Sequence, residues 1–153
     1  MLSEKQQMSL QKNSDYEIAI TGMTNEGNGV GRIGDYAVFV PDTAIGDFCR
    51  VKLVKKNHTY GFGKLIEVIE PSDDRIVSDC TAFPQCGGCV YRHITYAAEC
   101  LAKEQLVRDA FLRIGRIDAP VQPIIGSACQ TAYRNKAQYP FGLDRKGSML
   151  CGF

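Results

Sequence analysis

Seven cysteines are a heavy load for a chain of 153 residues, and three of them stand close enough to act on one centre. Cys80, Cys86 and Cys89 are spaced C-x5-C-x2-C, with Gly87 and Gly88 inside the tight pair. Two thiolates separated by two residues reach one metal without strain, and the glycines leave backbone N–H groups free to point at sulfur and room for a bulky ion or cluster. Tetrahedral zinc and a cubane iron-sulfur cluster both take four ligands, and three at short range with a fourth from a distant strand suits either. The cysteine count is odd and the start, Met1 to Asp15, is polar with no apolar core of the signal-peptide kind. Both features point to a reducing, cytoplasmic setting, where clustered thiols mean metal or redox chemistry more often than disulfides. The plain alternative is a set of ordinary semi-buried loop cysteines. Cys49, among strand apolars, and Cys100, on a helical stripe, read as packing. Cys129 and Cys151 have no assigned role, Cys151 being held as a fallback fourth donor. His93 reads as a capping or loop residue, because three thiolates already define a sulfur-rich site.

A second group of residues suits nucleic acid. Lys52, Lys55, Lys56, His58 and Tyr60 fall within nine positions, with Arg50, Phe62 and Lys64 beside them, and phosphate-seeking cations interleaved with rings fit single-stranded RNA. The alternative is a solvated strand face whose aromatics turn inward. Arg134 and Lys136 share one face of an expected strand and could bind phosphate, or form a structural ion pair. The net charge of +1 decides nothing by itself, although residues 91–153 carry nine basic and five acidic side chains. Gly27-x-Gly29-x-Gly31 is read as turn glycine, since no helix follows it as a nucleotide loop would require.

The elements that must position these groups follow from the patterning. Residues 1–14 lack periodicity and are expected to be a mobile lead-in. From Asp15 the apolar period is two, with Tyr16, Ile18 and Ile20 on one face, a glycine loop from Gly27 to Gly34, a strand at Tyr36–Val40, a half-buried strand at Phe48–Val54 and another over Gly61–Ile69. Strands so spaced, with nothing helical between them, predict a small antiparallel barrel over 15–70, because closure removes exposed edges. Pro71 to Asp74 marks a boundary, and 71–94 forms the cysteine loop. Thr95 is a candidate N-cap, after which Cys100, Val107, Ala110, Phe111 and Ile114 make one helical stripe ending at Gly115. Tyr133–Tyr139 alternates again, and a strand at Ser148–Phe153 is joined through Asp144-Arg145-Lys146-Gly147. One helix and one hairpin bury no core of their own, so 95–153 is expected to be the start of a larger α+β domain that has been cut off, with open apolar surface that favours self-association. No window is apolar enough to span a bilayer.

Taken together, Cys80-Thr81-Ala82-Phe83-Pro84-Gln85-Cys86-Gly87-Gly88-Cys89, directly after a small glycine-rich barrel and followed by a helix and Tyr133-Arg134-Asn135-Lys136, resembles the N-terminal part of the RNA (uracil-C5)-methyltransferases that modify 23S ribosomal RNA. The resemblance covers the chain from about Asp15 onward, and Phe-x-x-Cys-Gly-Gly-Cys is its specific part. It implies that the barrel is a TRAM domain, an OB-like RNA-binding module, so the fold class is mainly β with α+β, the barrel being followed by an incomplete cluster-binding domain. It implies that Cys80, Cys86 and Cys89 hold a 4Fe-4S cluster whose fourth ligand lies outside this chain; Cys151 does not match the family's position. It also implies a catalytic domain, absent here, that binds S-adenosylmethionine and carries a nucleophilic cysteine, so this chain alone is expected to be inactive. In such an enzyme a cysteine thiolate adds to carbon 6 of uracil, carbon 5 takes the methyl group, and a base removes the carbon 5 proton before the thiolate leaves. The target base must first leave its stack, and this chain would grip the flanking ribosomal RNA. The rival expectation is a stand-alone RNA-binding module with a structural zinc site and no catalysis.

Overall fold

The computed structural model describes residues 10–83 and 86–152. Five strands, β1 (Asp15–Met23), β2 (Gly29–Ile33), β3 (Tyr36–Val40), β4 (Phe48–Lys56) and β5 (Tyr60–Glu70), close into a barrel in the order β1-β2-β3-β5-β4. The mainly-β fold with an OB-like barrel is therefore as expected, with two differences. The barrel is not wholly antiparallel: β3 and β5 pair in parallel, Ala37 beside Tyr60 and Phe39 beside Phe62. The β4 strand leaves β3, crosses to β1 and returns through β5, so the pair that closes the barrel joins strands that sequence order does not make neighbours.

The second difference is β2, which the glycine pattern placed inside a loop. Gly29 and Gly31 are there for space. A Cβ on Gly31 would meet Ile18 Cδ1 at 2.7 Å and the Ala19 carbonyl at 2.9 Å, and one on Gly29 would meet Thr43 Oγ1 at 2.1 Å. A five-stranded barrel is too narrow to fill every inward position with a side chain, so glycine here reports crowding and not a turn.

Inside the barrel, Ile18, Ile20, Val38, Val40, Cys49, Val51 and Leu53 form one buried cluster. The Cys49 thiol is pushed up to about 11, chiefly by burial and then by Asp47, which makes it a packing residue with no nucleophilic character at neutral pH. The expected lead-in begins outside the described residues, at 1–9. Residues 10–14 are held to the barrel: Leu10 packs against its core, and Asn13 N donates to the Leu53 carbonyl at 2.7 Å.

The chain after the barrel is clasped to it by a buried carboxylate. Asp47 is fully buried and accepts from Ala44 N at 2.7 Å, Ser72 N at 2.9 Å and the Arg75 guanidinium at 3.2 and 2.5 Å. Burial raises its pKa, but the Arg75 bond and the two backbone donors outweigh burial and hold it below the usual value.

Helix α1 (Tyr96–Asp109) starts where the cap signal places it, with the Thr95 hydroxyl accepting from Ala98 N at 3.2 Å and donating to Asp74 Oδ1 at 2.9 Å. The buried face is not the one the stripe predicts. Ala102 is buried with Met23, Ala44 and Ile94, and Ala98 packs beside them. Val107, Phe111 and Ile114 lie about half a turn around the helix from Ala102 and remain exposed, Ile114 at 85%. Small residues win the barrel side because only they allow the helix backbone to come close; the large apolar residues form a second, outward face. The helix ends in a π-helical turn, Ala110–Gly115, closed by Arg116 in the left-handed region. Beyond it, residues 133–139 form no strand, and β6 (Phe141–Leu143) pairs only with β7 (Met149–Cys151) around an Asp144–Gly147 turn. Asp144 Oδ1 accepts from Lys146 N and Ser148 N, both at 2.8 Å. No helix of the described residues is long and apolar enough to cross a membrane.

Candidate nucleic-acid interface and cysteine loop

The basic residues of β4 divide into two groups. Arg50 lies between Glu17 at 3.0 Å and Glu67 at 2.7 Å, and its pKa is raised, first by the bond to Glu17. Lys52 pairs with Asp15 at 2.7 Å. These two cations are paired across the outer face of β1, β4 and β5, where Lys52 is still half-exposed. Lys55, Lys56 and His58 lie further along, at the end of β4 and in the turn to β5, and all three are exposed. Lys56 Nζ donates to the Leu10 carbonyl at 2.9 Å, which leaves its charge unpaired among the described residues. Arg134 and Lys136 are exposed in irregular chain; with no strand there, the shared face expected of them does not exist.

Beside the free lysines sits an aromatic group that patterning alone half concealed. The parallel β3-β5 pairing brings Phe39 to Tyr60 and Phe62, with ring centroids 5.7 to 5.8 Å apart in all three pairs. These rings lie outside the barrel, since Val38 and Val40 take the inward positions of β3. Lys55 Nζ stands 5.5 Å from the Phe62 ring centroid. The turn that carries His58 is tied down by Tyr36, whose hydroxyl reaches the carbonyl oxygens of Asn57 at 3.0 Å and Tyr60 at 2.5 Å. Gly61 makes this approach feasible: a Cβ there would meet the Tyr36 ring at 3.0 Å and the Lys55 carbonyl at 2.8 Å. Phe39 and Tyr36 were missed in the sequence because their roles depend on which strand closes the barrel.

The cysteine loop hangs between two attachments to the barrel. One is the Asp47-Arg75 clasp. The other is formed by Tyr91, whose hydroxyl donates to the Thr24 and Asn25 carbonyls at 3.2 and 3.3 Å, and by His93. That histidine lies in a turn of the loop, as one of its two expected roles has it, but it is buried: its Nε2 lies 3.1 Å from the Thr43 carbonyl, and its ring stacks on Phe83 at 5.9 Å with the planes 15° apart. The Thr43 carbonyl requires the proton on Nε2, which leaves buried Nδ1 without a partner among the described residues.

Between these anchors Cys80 and Cys89 are exposed and Cys86 is half-buried, all as free thiols. Cys86 N donates to the Ala82 carbonyl at 2.8 Å and Gly88 N approaches Cys86 Sγ at 3.4 Å. A backbone N–H aimed at sulfur is the contact that favours a thiolate, so the chemistry of the donor set fits a soft, sulfur-ligated metal centre. The thiols are not drawn together: among the described residues no three His, Cys, Asp or Glu side chains are gathered closely enough to hold an ion. Pro84 and Gln85 of the motif lie outside the described residues.

Residues 10–66 match the family described as TRAM domain, so the barrel with its aromatic and basic edge is a TRAM domain. The chain is similar over nearly its whole length to proteins named as uncharacterised RNA methyltransferases. It is 41% identical over 150 residues to one from Halalkalibacterium halodurans, covering 97% of this chain and 32% of that protein. It is 38% identical to one from Clostridium tetani, covering 97% and 32%, and 38% identical to one from Synechocystis sp., covering 94% and 31%. The chain spans about a third of the length of the curated relatives it matches. Among solved structures, it resembles the Pyrococcus abyssi tRNA (uracil-54, C5)-methyltransferase in complex with S-adenosyl-L-homocysteine, with a TM-score of 0.42 and 24% identity over 69% of this chain and 23% of that one. It also resembles a conserved protein of Methanococcus maripaludis, with a TM-score of 0.37 and 27% identity over 44% of this chain and 100% of that one.

Proposed function

We propose that this chain is the RNA-gripping and cluster-bearing portion of an S-adenosylmethionine-dependent methyltransferase that methylates carbon 5 of uracil in 23S ribosomal RNA. The observation that carries the reading is one chain holding both a TRAM barrel and, pinned to it, the Phe83-x-x-Cys86-Gly87-Gly88-Cys89 loop, with RNA methyltransferases as relatives along its length. In this reading the barrel's part is positional. Lys55, Lys56 and His58 draw the phosphates of unpaired RNA to one end of the barrel, where Tyr60 lies, and hold the strand while the target base is out of its stack. Arg134 and Lys136, on the exposed chain beyond the helix, add positive charge without a fixed geometry. Cys80, Cys86 and Cys89 would supply three thiolates to a 4Fe-4S cluster, with the fourth ligand and the S-adenosylmethionine site outside this chain. Such a cluster, when bound, supplies a rigid sulfur-ligated cross-link within the loop.

The test is the modification state of ribosomal RNA. Deleting the gene is expected to remove 5-methyluridine from a 23S position, read by mass spectrometry of nuclease fragments, and the complete gene restores it. Loss of 5-methyluridine from tRNA with 23S unchanged would overturn the ribosomal assignment. Unchanged 5-methyluridine in both RNAs would leave the rival reading, an RNA-binding module with structural zinc.

A further inference from the structure

We infer that Tyr60, braced by Phe39 and Phe62, is a stacking platform for an unpaired RNA base, and that Lys55 exchanges its seat over Phe62 for the phosphate of that nucleotide. The inference rests on the RNA-binding reading above and specifies how the barrel end would tell a single strand from a duplex.

Three observations lead to it. The rings are mutually tilted, at 64°, 46° and 78°, so together they form a stepped surface that offers one flat face at a time. Tyr60 is the most open of the three, 39% exposed, while Phe39 and Phe62 are half-buried. Three large aromatics gathered on the outside of a barrel bury nothing of the core, and their cost in exposed apolar area is offset when something flat covers them. The backbone beneath Tyr60 is fixed by the Tyr36 hydroxyl at its carbonyl, so the ring is presented on a rigid strand start and little order has to be acquired on binding.

The charge beside the platform argues for nucleic acid over an apolar peptide. Lys55 has no carboxylate partner among the described residues; its ammonium rests on the Phe62 ring face at 5.5 Å. A cation over an exposed ring is worth little in water and is free to move to a stronger anion. A phosphate one nucleotide from a base stacked on Tyr60 is such an anion, and the exposed Lys56 extends the positive edge. A duplex keeps its bases stacked within the helix and offers the platform only its backbone, so the surface selects unpaired RNA.

The probes are a ten-nucleotide oligouridylate and a ten-unit abasic sugar-phosphate strand, titrated against the full chain at several salt concentrations. Tyr60→Leu is expected to weaken oligouridylate binding by roughly tenfold or more, to leave the abasic strand unaffected and to keep the salt slope. Tyr60→Phe is expected to bind as the parent does. Lys55→Gln is expected to reduce the slope by roughly 0.7 with either strand. A 2-aminopurine in the oligouridylate is expected to lose fluorescence on binding the unaltered chain, a readout that needs no variant to fold. If Tyr60→Leu and Phe39→Leu both bind oligouridylate like the parent while Lys55→Gln weakens it, the grip is on phosphate alone: the platform is refuted and the RNA-binding reading stands. If the unaltered chain binds neither strand, both fall together.

Discussion

The barrel and the segment after the helix cap are built from similar shares of apolar residues, yet they end in opposite states. In the barrel, seven side chains from three strands converge on one interior and are excluded from water almost completely. In the segment after Gly115, Ile125, Tyr133, Phe141, Leu143, Met149 and Leu150 all remain exposed, and β6 and β7 find only each other. The difference is topological. Five strands that close have an inside; a two-stranded hairpin and the outer face of one helix have none. Stability in this chain is therefore concentrated in residues 10–75 and the first half of α1, and perturbations are expected to act very unequally along the sequence.

The largest effect is expected at the clasp. Asp47→Ala removes four accepted hydrogen bonds and leaves Arg75, the buried Ala44 N–H and the part-buried Ser72 N–H without their acceptor, a loss of about 3 kcal/mol that urea titration monitored by circular dichroism would read. Gly31→Ala comes next: the added methyl meets Ile18 and the Ala19 backbone, costing about 1–3 kcal/mol by overpacking. The same substitution at Gly142, where nothing lies within 4 Å, is expected to change stability by less than about 0.5 kcal/mol. Equal effects at the two glycines would refute the contrast between the regions.

Acid sharpens the clasp prediction. The folded pKa of Asp47 lies below the ordinary 3.8, so its stabilising contribution is fully present above that value and is lost as pH falls through the lower, folded value. Thermal midpoints of the parent are expected to drop over that range toward those of Asp47→Asn, whose own midpoint responds less to the same acidification.

On the open side, Phe111→Glu together with Ile114→Glu is expected to leave the unfolding midpoint nearly unchanged and to shift the isolated chain toward monomer in sedimentation velocity, since these residues cover nothing of the core. The smallest perturbation is chemical. At pH 8 iodoacetamide is expected to label Cys80, Cys89, Cys129 and Cys151 in the metal-free chain and to spare Cys49 until denaturant is added, as peptide mass mapping would show.

Much of this contrast was legible in the residues. Alternation at Ile18-Ile20 and Cys49-Val51-Leu53 placed the inward faces correctly, because on a strand the period of two settles which side is buried. Thr95 marked the helix start through its cap. What remained hidden had one common cause: it depended on contacts between segments far apart in sequence. The β3-β5 pairing decides that Phe39 joins Tyr60 and Phe62 in one cluster; the narrow interior decides that Gly29 and Gly31 are strand residues; the barrel end decides that Ala98 and Ala102, and not the bulkier stripe, face inward. His93 was hidden in the same way, its partner being Thr43, fifty positions earlier. Arg134 and Lys136 show the reverse, a local alternation with no second strand to make it a sheet.

The cysteine loop joins the two regions, and metal analysis tests the central claim most directly. Protein expressed from the complete reading frame, purified without oxygen and supplied with iron and sulfide, is expected to carry about four irons per chain and visible absorbance from sulfur-to-iron charge transfer, both lost on Cys86→Ser. Zinc in place of iron, or Cys80, Cys86 and Cys89 all open to alkylation in that preparation, would contradict it.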